Sequence, residues 1–60
     1  MTAEATVFVE ENERGWWQVR VRYAGAERPF TLVVVPTEAE AVTAARGYSV
    51  IHDWRFEQEG

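Results

Sequence analysis

Apolar and polar residues alternate along Thr6-Val7-Phe8-Val9-Glu10, and again along Trp17-Gln18-Val19-Arg20-Val21-Arg22-Tyr23. A period of two, rich in β-branched and aromatic residues, predicts strands over residues 6–11 and 16–23. Between them, Asn12-Glu13-Arg14-Gly15 carries a residue suited to open a type I turn and a glycine for the left-handed position that closes a three-residue hairpin loop. That turn fixes the register, with Val9 facing Val19 and Val7 facing Val21. Ala5, Val7 and Val9 then share a face with Trp17, Val19, Val21 and Tyr23, while Thr6, Phe8 and Glu10 share the other with Trp16, Gln18, Arg20 and Arg22. The adjacent Trp16 and Trp17 leave opposite faces, so only one of them enters a single core.

Ala24-Gly25-Ala26-Glu27 reads as a second turn, leading into the β-branched run Pro29-Phe30-Thr31-Leu32-Val33-Val34-Val35. Pairing Tyr23 with Arg28 places Phe30, Leu32 and Val34 against Val21, Val19 and Trp17, which leaves Thr31, Val33 and Val35 on the opposite face. Pro29 has no N–H for a ladder, which assigns this third strand to a sheet edge. Pro36-Thr37-Glu38-Ala39-Glu40 then opens a helix, with Thr37 as cap, Glu40 completing a capping box and an acidic first turn. Gly47 reads as the residue just past its end. Residues 48–56 alternate once more, with Tyr48, Val50, His52, Trp54 and Phe56 on one side and Ser49, Ile51, Asp53 and Arg55 on the other.

The expected fold is therefore a small α+β domain of order β-β-β-α-β. A three-stranded antiparallel meander takes a fourth strand beside the first, in the order 3-2-1-4, with one short helix on one sheet face. The chain of 60 residues is a single domain, with residues 1–4 and 58–60 expected to be loose.

Charge and composition narrow the uses of such a domain. Six arginines and no lysine face ten carboxylates, a formal charge of −4 that disfavours non-specific attraction to phosphate backbones or anionic lipid. With no cysteine, neither a disulfide nor a thiolate metal site is available as a staple, which leaves oligomerisation. No apolar run reaches the length of a membrane span, and Met1-Thr2-Ala3-Glu4-Ala5 lacks the basic and apolar regions of a signal peptide, so a cytoplasmic setting without membrane contact is expected.

Catalytic and ligand-binding signals are weak. His52 and Ser49 lie on one expected strand with side chains on opposite faces, which excludes a nucleophile–base pair, and His52 is read as a hydrogen-bonded rim residue. Glu10-Glu11-Asn12-Glu13 lacks the spacing of a calcium loop, the isolated glycines make no phosphate loop, and a single histidine offers no recognised metal set. No catalytic residue, metal or cofactor is assigned.

What stands out is the uncovered sheet face: Phe8, Trp16, Gln18, Arg20, Arg22, Thr31, Val33, Val35 and Ile51. Apolar residues on an open face mark interfaces, and Trp and Arg are enriched where binding energy concentrates. The expected function is a non-enzymatic interaction module, a small regulator or inhibitor, binding a protein partner or a second copy through this face. The plainer alternative is that the helix covers this face instead. Nucleic-acid recognition is the competing use, since Phe8 and Trp16 beside Arg20 and Arg22 have the ingredients for base stacking and phosphate contact. Residues 15–22 followed by Thr37-Glu38-Ala39-Glu40-Ala41 are faintly similar to the small sheet-plus-helix DNA-binding domains of tyrosine integrases, over about half the chain and on common residue types. The net negative charge, the fourth strand, Val33 and Val35 depart from that pattern. The element order also looks like the small domain of HicB-type antitoxins, whose sequence pattern between the strands is absent.

Overall fold

The computed structural model describes residues 4–58. Its elements are β1 (Ala5–Glu11), β2 (Trp17–Tyr23), β3 (Phe30–Val35), α1 (Glu38–His52) and β4 (Arg55–Glu57). They form one sheet in the order β3-β2-β1-β4, antiparallel except for the β1–β4 pair, with the helix on one face. This is the architecture that the hydrophobic pattern predicts. Of the ends expected to be loose, residues 1–3 and 59–60 lie outside the described residues. Glu4 continues the ladder, its carbonyl accepting the Ala24 N–H at 2.8 Å.

The first hairpin follows from its turn. The Asn12 N–H donates to Trp16 O at 2.8 Å, and Gly15, at φ 81°, donates back to Asn12 O at 3.1 Å. Asn12 Oδ1 accepts from the Arg14 and Trp16 amides at 2.9 and 3.0 Å, using the side chain to satisfy the donors that the loop frees. The ladder then pairs Val9 with Val19 and Val7 with Val21, as expected. In the second turn Gly25, at φ 84°, fills the position that a type II turn reserves for positive φ, and the Ala26 N–H closes it onto Tyr23 O at 3.0 Å.

The third strand departs from strict alternation. Val21 pairs with Phe30 and Arg20 with Thr31, but Val19 then faces Val33 and Trp17 faces Val35, with a bulge at Leu32. Val33 and Val35, assigned to the open face by alternation, pack instead against the core beneath the helix, and Val34 is turned outward, 45% exposed. The extra residue lets Leu32, Val33 and Val35 all reach the core where a regular strand would bury two aliphatics. Half-burying one more valine contributes on the order of 1 kcal/mol, comparable to the cost of a disturbed ladder hydrogen bond, and the bulge also lets two neighbouring valines pack on the core together.

The helix also runs longer than its glycine predicts. Thr37 caps it in extended conformation, Oγ1 accepting the Glu40 N–H at 3.3 Å and donating to the Glu40 carboxylate at 2.9 Å. It continues through Gly47 to His52 and is closed by Asp53 in the left-handed region, φ 57°, with the Trp54 N–H on Ser49 O at 3.0 Å. Residues 48–52, read as strand, are its last turns, and β4 retains only Arg55–Glu57. The crossover explains this outcome. It must pass three strand spacings sideways, about 14 Å, while returning along a strand of roughly 20 Å. Fifteen helical residues, at 1.5 Å each, span about 22 Å and match that return, whereas a helix ending at Gly47 would cover only about 15 Å of it.

Ala41 and Ala45 are fully buried against Val7 and Val19, so the helix lies close to the sheet, and Val9, Trp17, Leu32, Tyr48, Trp54 and Phe56 fill the margins. A methyl group at Gly47 would meet no atom within 4 Å. Gly47→Ala is therefore expected to stabilise the fold by about 0.5–1 kcal/mol through helix propensity alone. A thermal melt checks this, and a lower Tm would mean that the position serves a contact rather than a turn of helix.

Candidate functional site

With the helix on the Val7/Val19 side, the opposite face of the sheet is open. β1 presents Thr6, Phe8 and Glu10 there, and β2 presents Gln18, Arg20 and Arg22. β3 adds Thr31, paired with Arg20, and Val34, paired with Gln18; β4 adds Arg55 beside Thr6 and Glu57 beside Phe8. Trp16, one step before the inward Trp17, stands at the hairpin end of this face and is 46% exposed.

The centre of the face is arranged by contacts of its own. The Arg22 guanidinium lies over the Phe8 ring, its central carbon 5.4 Å from the centroid, a cation–π geometry that lets the ring orient the charge. Arg20 reaches both ways, donating from Nη1 to Glu10 Oε1 and from Nη2 to Pro29 O, each at 3.4 Å. Gln18 Nε2 donates to the same Glu10 oxygen at 3.5 Å. These contacts are long and partly exposed, so they orient the side chains more than they stabilise the fold. The Arg20 Nε is buried without a partner, a desolvation cost that an apolar side chain would not carry there.

At the margin, β4 ends opposite Phe8 while β1 runs on to Glu11. The unpaired stretch opens a hollow of about 350 Å³ lined by Phe8, Val9, Glu10, Glu11, Trp17, Arg22 and Glu57. It combines aromatic walls with charges of both signs, which suits a partner side chain with an apolar stem and a polar end.

Of the residues that the sequence assigns to this face, the structure brings together Phe8, Gln18, Arg20, Arg22 and Thr31, with Trp16 at one end. Val33 and Val35 are removed by the bulge, and Ile51 sits on the helix, 77% exposed and on the other side of the sheet. Val34, Arg55 and Glu57 also belong to the face, Arg55 on the side that alternation gives it. Alternation around Phe56 holds the signal for Arg55 and Glu57, whereas the uniformly apolar Leu32-Val33-Val34-Val35 gives none for Val34.

Ser49 and His52, expected on opposite faces of a strand, both lie in the last turns of α1. The Ser49 hydroxyl donates to Trp54 O at 2.6 Å, and the His52 ring is stacked on Trp54 at 4.2 Å between centroids, with Tyr48 beyond it at 6.3 Å. Both side chains fasten the helix end to the following strand.

No protein-family model matches the chain, and comparison with curated proteins and with solved structures finds no significant relative. No helix among the described residues is long and apolar enough to cross a membrane.

Proposed function

We propose that this domain is a non-enzymatic interaction module of the cytoplasm, a small regulator or inhibitor that binds a protein partner through the open face of its sheet. The observation that carries the reading is the Arg22–Phe8 stack at the centre of a face that the helix leaves bare. An aromatic and a guanidinium already fixed against each other lose little side-chain freedom on binding, which favours them as an anchor. Arg20, with a buried and unpartnered Nε, supports the same reading, because a side chain that costs stability is expected where function retains it.

Charge favours protein over nucleic acid. The face carries Arg20, Arg22 and Arg55, but Glu10 and Glu57 lie among them in a chain of formal charge −4. Such a mixed surface has directional pairs to offer a protein and little net attraction for a phosphate backbone.

Capture from the native source by the wild-type chain, repeated with Arg22→Ala and Phe8→Ala, tests the assignment. One protein retained by the wild type and bound at least roughly tenfold more weakly by each variant is the expected result. Retention undiminished in both would place the site elsewhere. Oligonucleotide binding at low salt that fades steeply as salt rises would transfer the face to nucleic acid.

A further inference from the structure

The hollow beside Phe8 carries a charge imbalance that the fold leaves unanswered. Three carboxylates, Glu10, Glu11 and Glu57, line it against one guanidinium, Arg22. Glu10 is already engaged, its Oε1 lying 3.4 Å from Arg20 Nη1 and 3.5 Å from Gln18 Nε2. Among the described residues that is the single ion pair, so Glu11 and Glu57 stand against Arg22 alone and one negative charge is left over. These carboxylates are not a metal cluster, since among the described residues no group of three or more acidic or histidine side chains is placed to hold an ion. They rim an aromatic cavity instead.

We propose that the hollow receives one arginine or lysine side chain of the protein partner, an inference that rests on the open face being the binding surface. Walls, charge and access select that occupant. Phe8 and Trp17 offer the apolar stem of a long basic side chain a surface to cover, and an aromatic ring also attracts the cation itself. Phe8 already holds a guanidinium in this way, with the central carbon of Arg22 5.4 Å from its centroid. A single monovalent cation would balance the excess carboxylate, whereas an acidic side chain would meet three carboxylates to reach one guanidinium. The formal charge of −4 acts in the same direction at longer range, drawing a basic partner and repelling an acidic one. β4 pairs with β1 only as far as Phe8 while β1 continues to Glu11, so the hollow opens at the sheet margin rather than beneath the helix. At about 350 Å³ it is near the lower end of ligand sites, roughly 300–1,000 Å³, which suits one side chain rather than a folded segment.

Amide-resolved NMR titration of the whole chain with N-acetyl-argininamide, N-acetyl-lysinamide and the uncharged N-acetyl-glutaminamide tests the proposal without the partner. Both cationic probes should shift Phe8, Val9, Glu11 and Glu57 with a dissociation constant on the order of millimolar at low salt, and the uncharged probe should bind at least roughly fivefold more weakly. Glu11→Gln and Glu57→Gln should each weaken the cationic probes roughly threefold, and the two together roughly tenfold. Both side chains are exposed, so the variants should fold. Glu27→Gln, in the second turn, makes the same change of net charge and should leave the constants unaltered. Equal binding of the uncharged probe, equal weakening by Glu27→Gln, or shifts spread over the whole surface would overturn the basic occupant. So would tighter binding of acetate at the same amides, which would give the hollow to an acidic side chain on Arg22. If no probe binds while capture of the partner still depends on Phe8 and Arg22, the occupant is overturned and the open face stands. If the cationic probes bind while capture is indifferent to those two residues, the occupant stands and the face loses its assigned role.

Discussion

Trp17→Ala is expected to lower stability by about 3 kcal/mol, and Trp16→Ala by less than about 0.5 kcal/mol. The difference comes from parity. Trp17 packs against the Val7–Val19–Ala41–Ala45 cluster at the point where Val35 meets it across the ladder, whereas Trp16 is 46% exposed at the hairpin. Truncating Trp17 removes one of the two indoles packed against a core whose fully buried side chains are no larger than valine. The value is placed at the low end for buried aromatics because part of the indole reaches the surface hollow beside Phe8. A domain of this length has roughly 3–9 kcal/mol of total stability, so the Trp17 variant should be near unfolding. At roughly 4–8 °C per kcal/mol for so small a domain, its Tm should fall by more than about 10 °C. Urea titration of both variants checks the pair. Equal losses would mean that Trp16 is also packed and that the open face begins further along the sheet.

The contrast between these neighbours was legible in the sequence because the Asn12–Gly15 turn supplies a phase for β1 and β2. Once Asn12 and Gly15 set the loop, every side chain on the two strands has an assigned face, and Phe8, Gln18, Arg20 and Arg22 fall together without further information. β3 has a starting point, Val21 opposite Phe30, but no internal phase after Thr31. Four consecutive aliphatics look alike from either face, and the gain from burying three of them decides in favour of the bulge. The end of the helix is ambiguous for another reason. Tyr48, Val50, His52, Trp54 and Phe56 alternate as in a strand, yet Ala41, Ala45, Tyr48 and His52 also recur at helical spacing. Local pattern supports both, Gly47 favours the strand, and the distance the crossover must cover overrides the glycine. Ile51 was consequently assigned to the wrong layer, while Arg55, beyond the disputed segment, kept its correct side.

The same crossover gives the second large effect, in which Trp54→Ala is expected to cost about 3 kcal/mol and to loosen β4 before the rest of the sheet. Trp54, immediately before β4, ties that strand to two other elements: its ring meets Tyr23 of β2 edge-on at 5.7 Å and stacks on His52 of α1 at 4.2 Å, and its carbonyl accepts from Ser49, also of α1. β4 itself contributes only three paired residues, too few to persist without that anchor. Amide exchange should therefore show Arg55, Phe56 and Glu57 losing protection first, with the paired amides between Val7 and Val21 protected longest. Ser49→Ala, which removes one hydrogen bond and leaves the ring in place, should cost about 1 kcal/mol in the same direction. Because Arg55 and Glu57 reach the open face only through β4, the Trp54 variant should also lose the part of partner binding that depends on them while keeping the Arg22–Phe8 anchor. If β4 and the first hairpin instead lose protection together, the last strand folds as one unit with the meander, and Trp54 acts as general core rather than as the clasp between helix and strand.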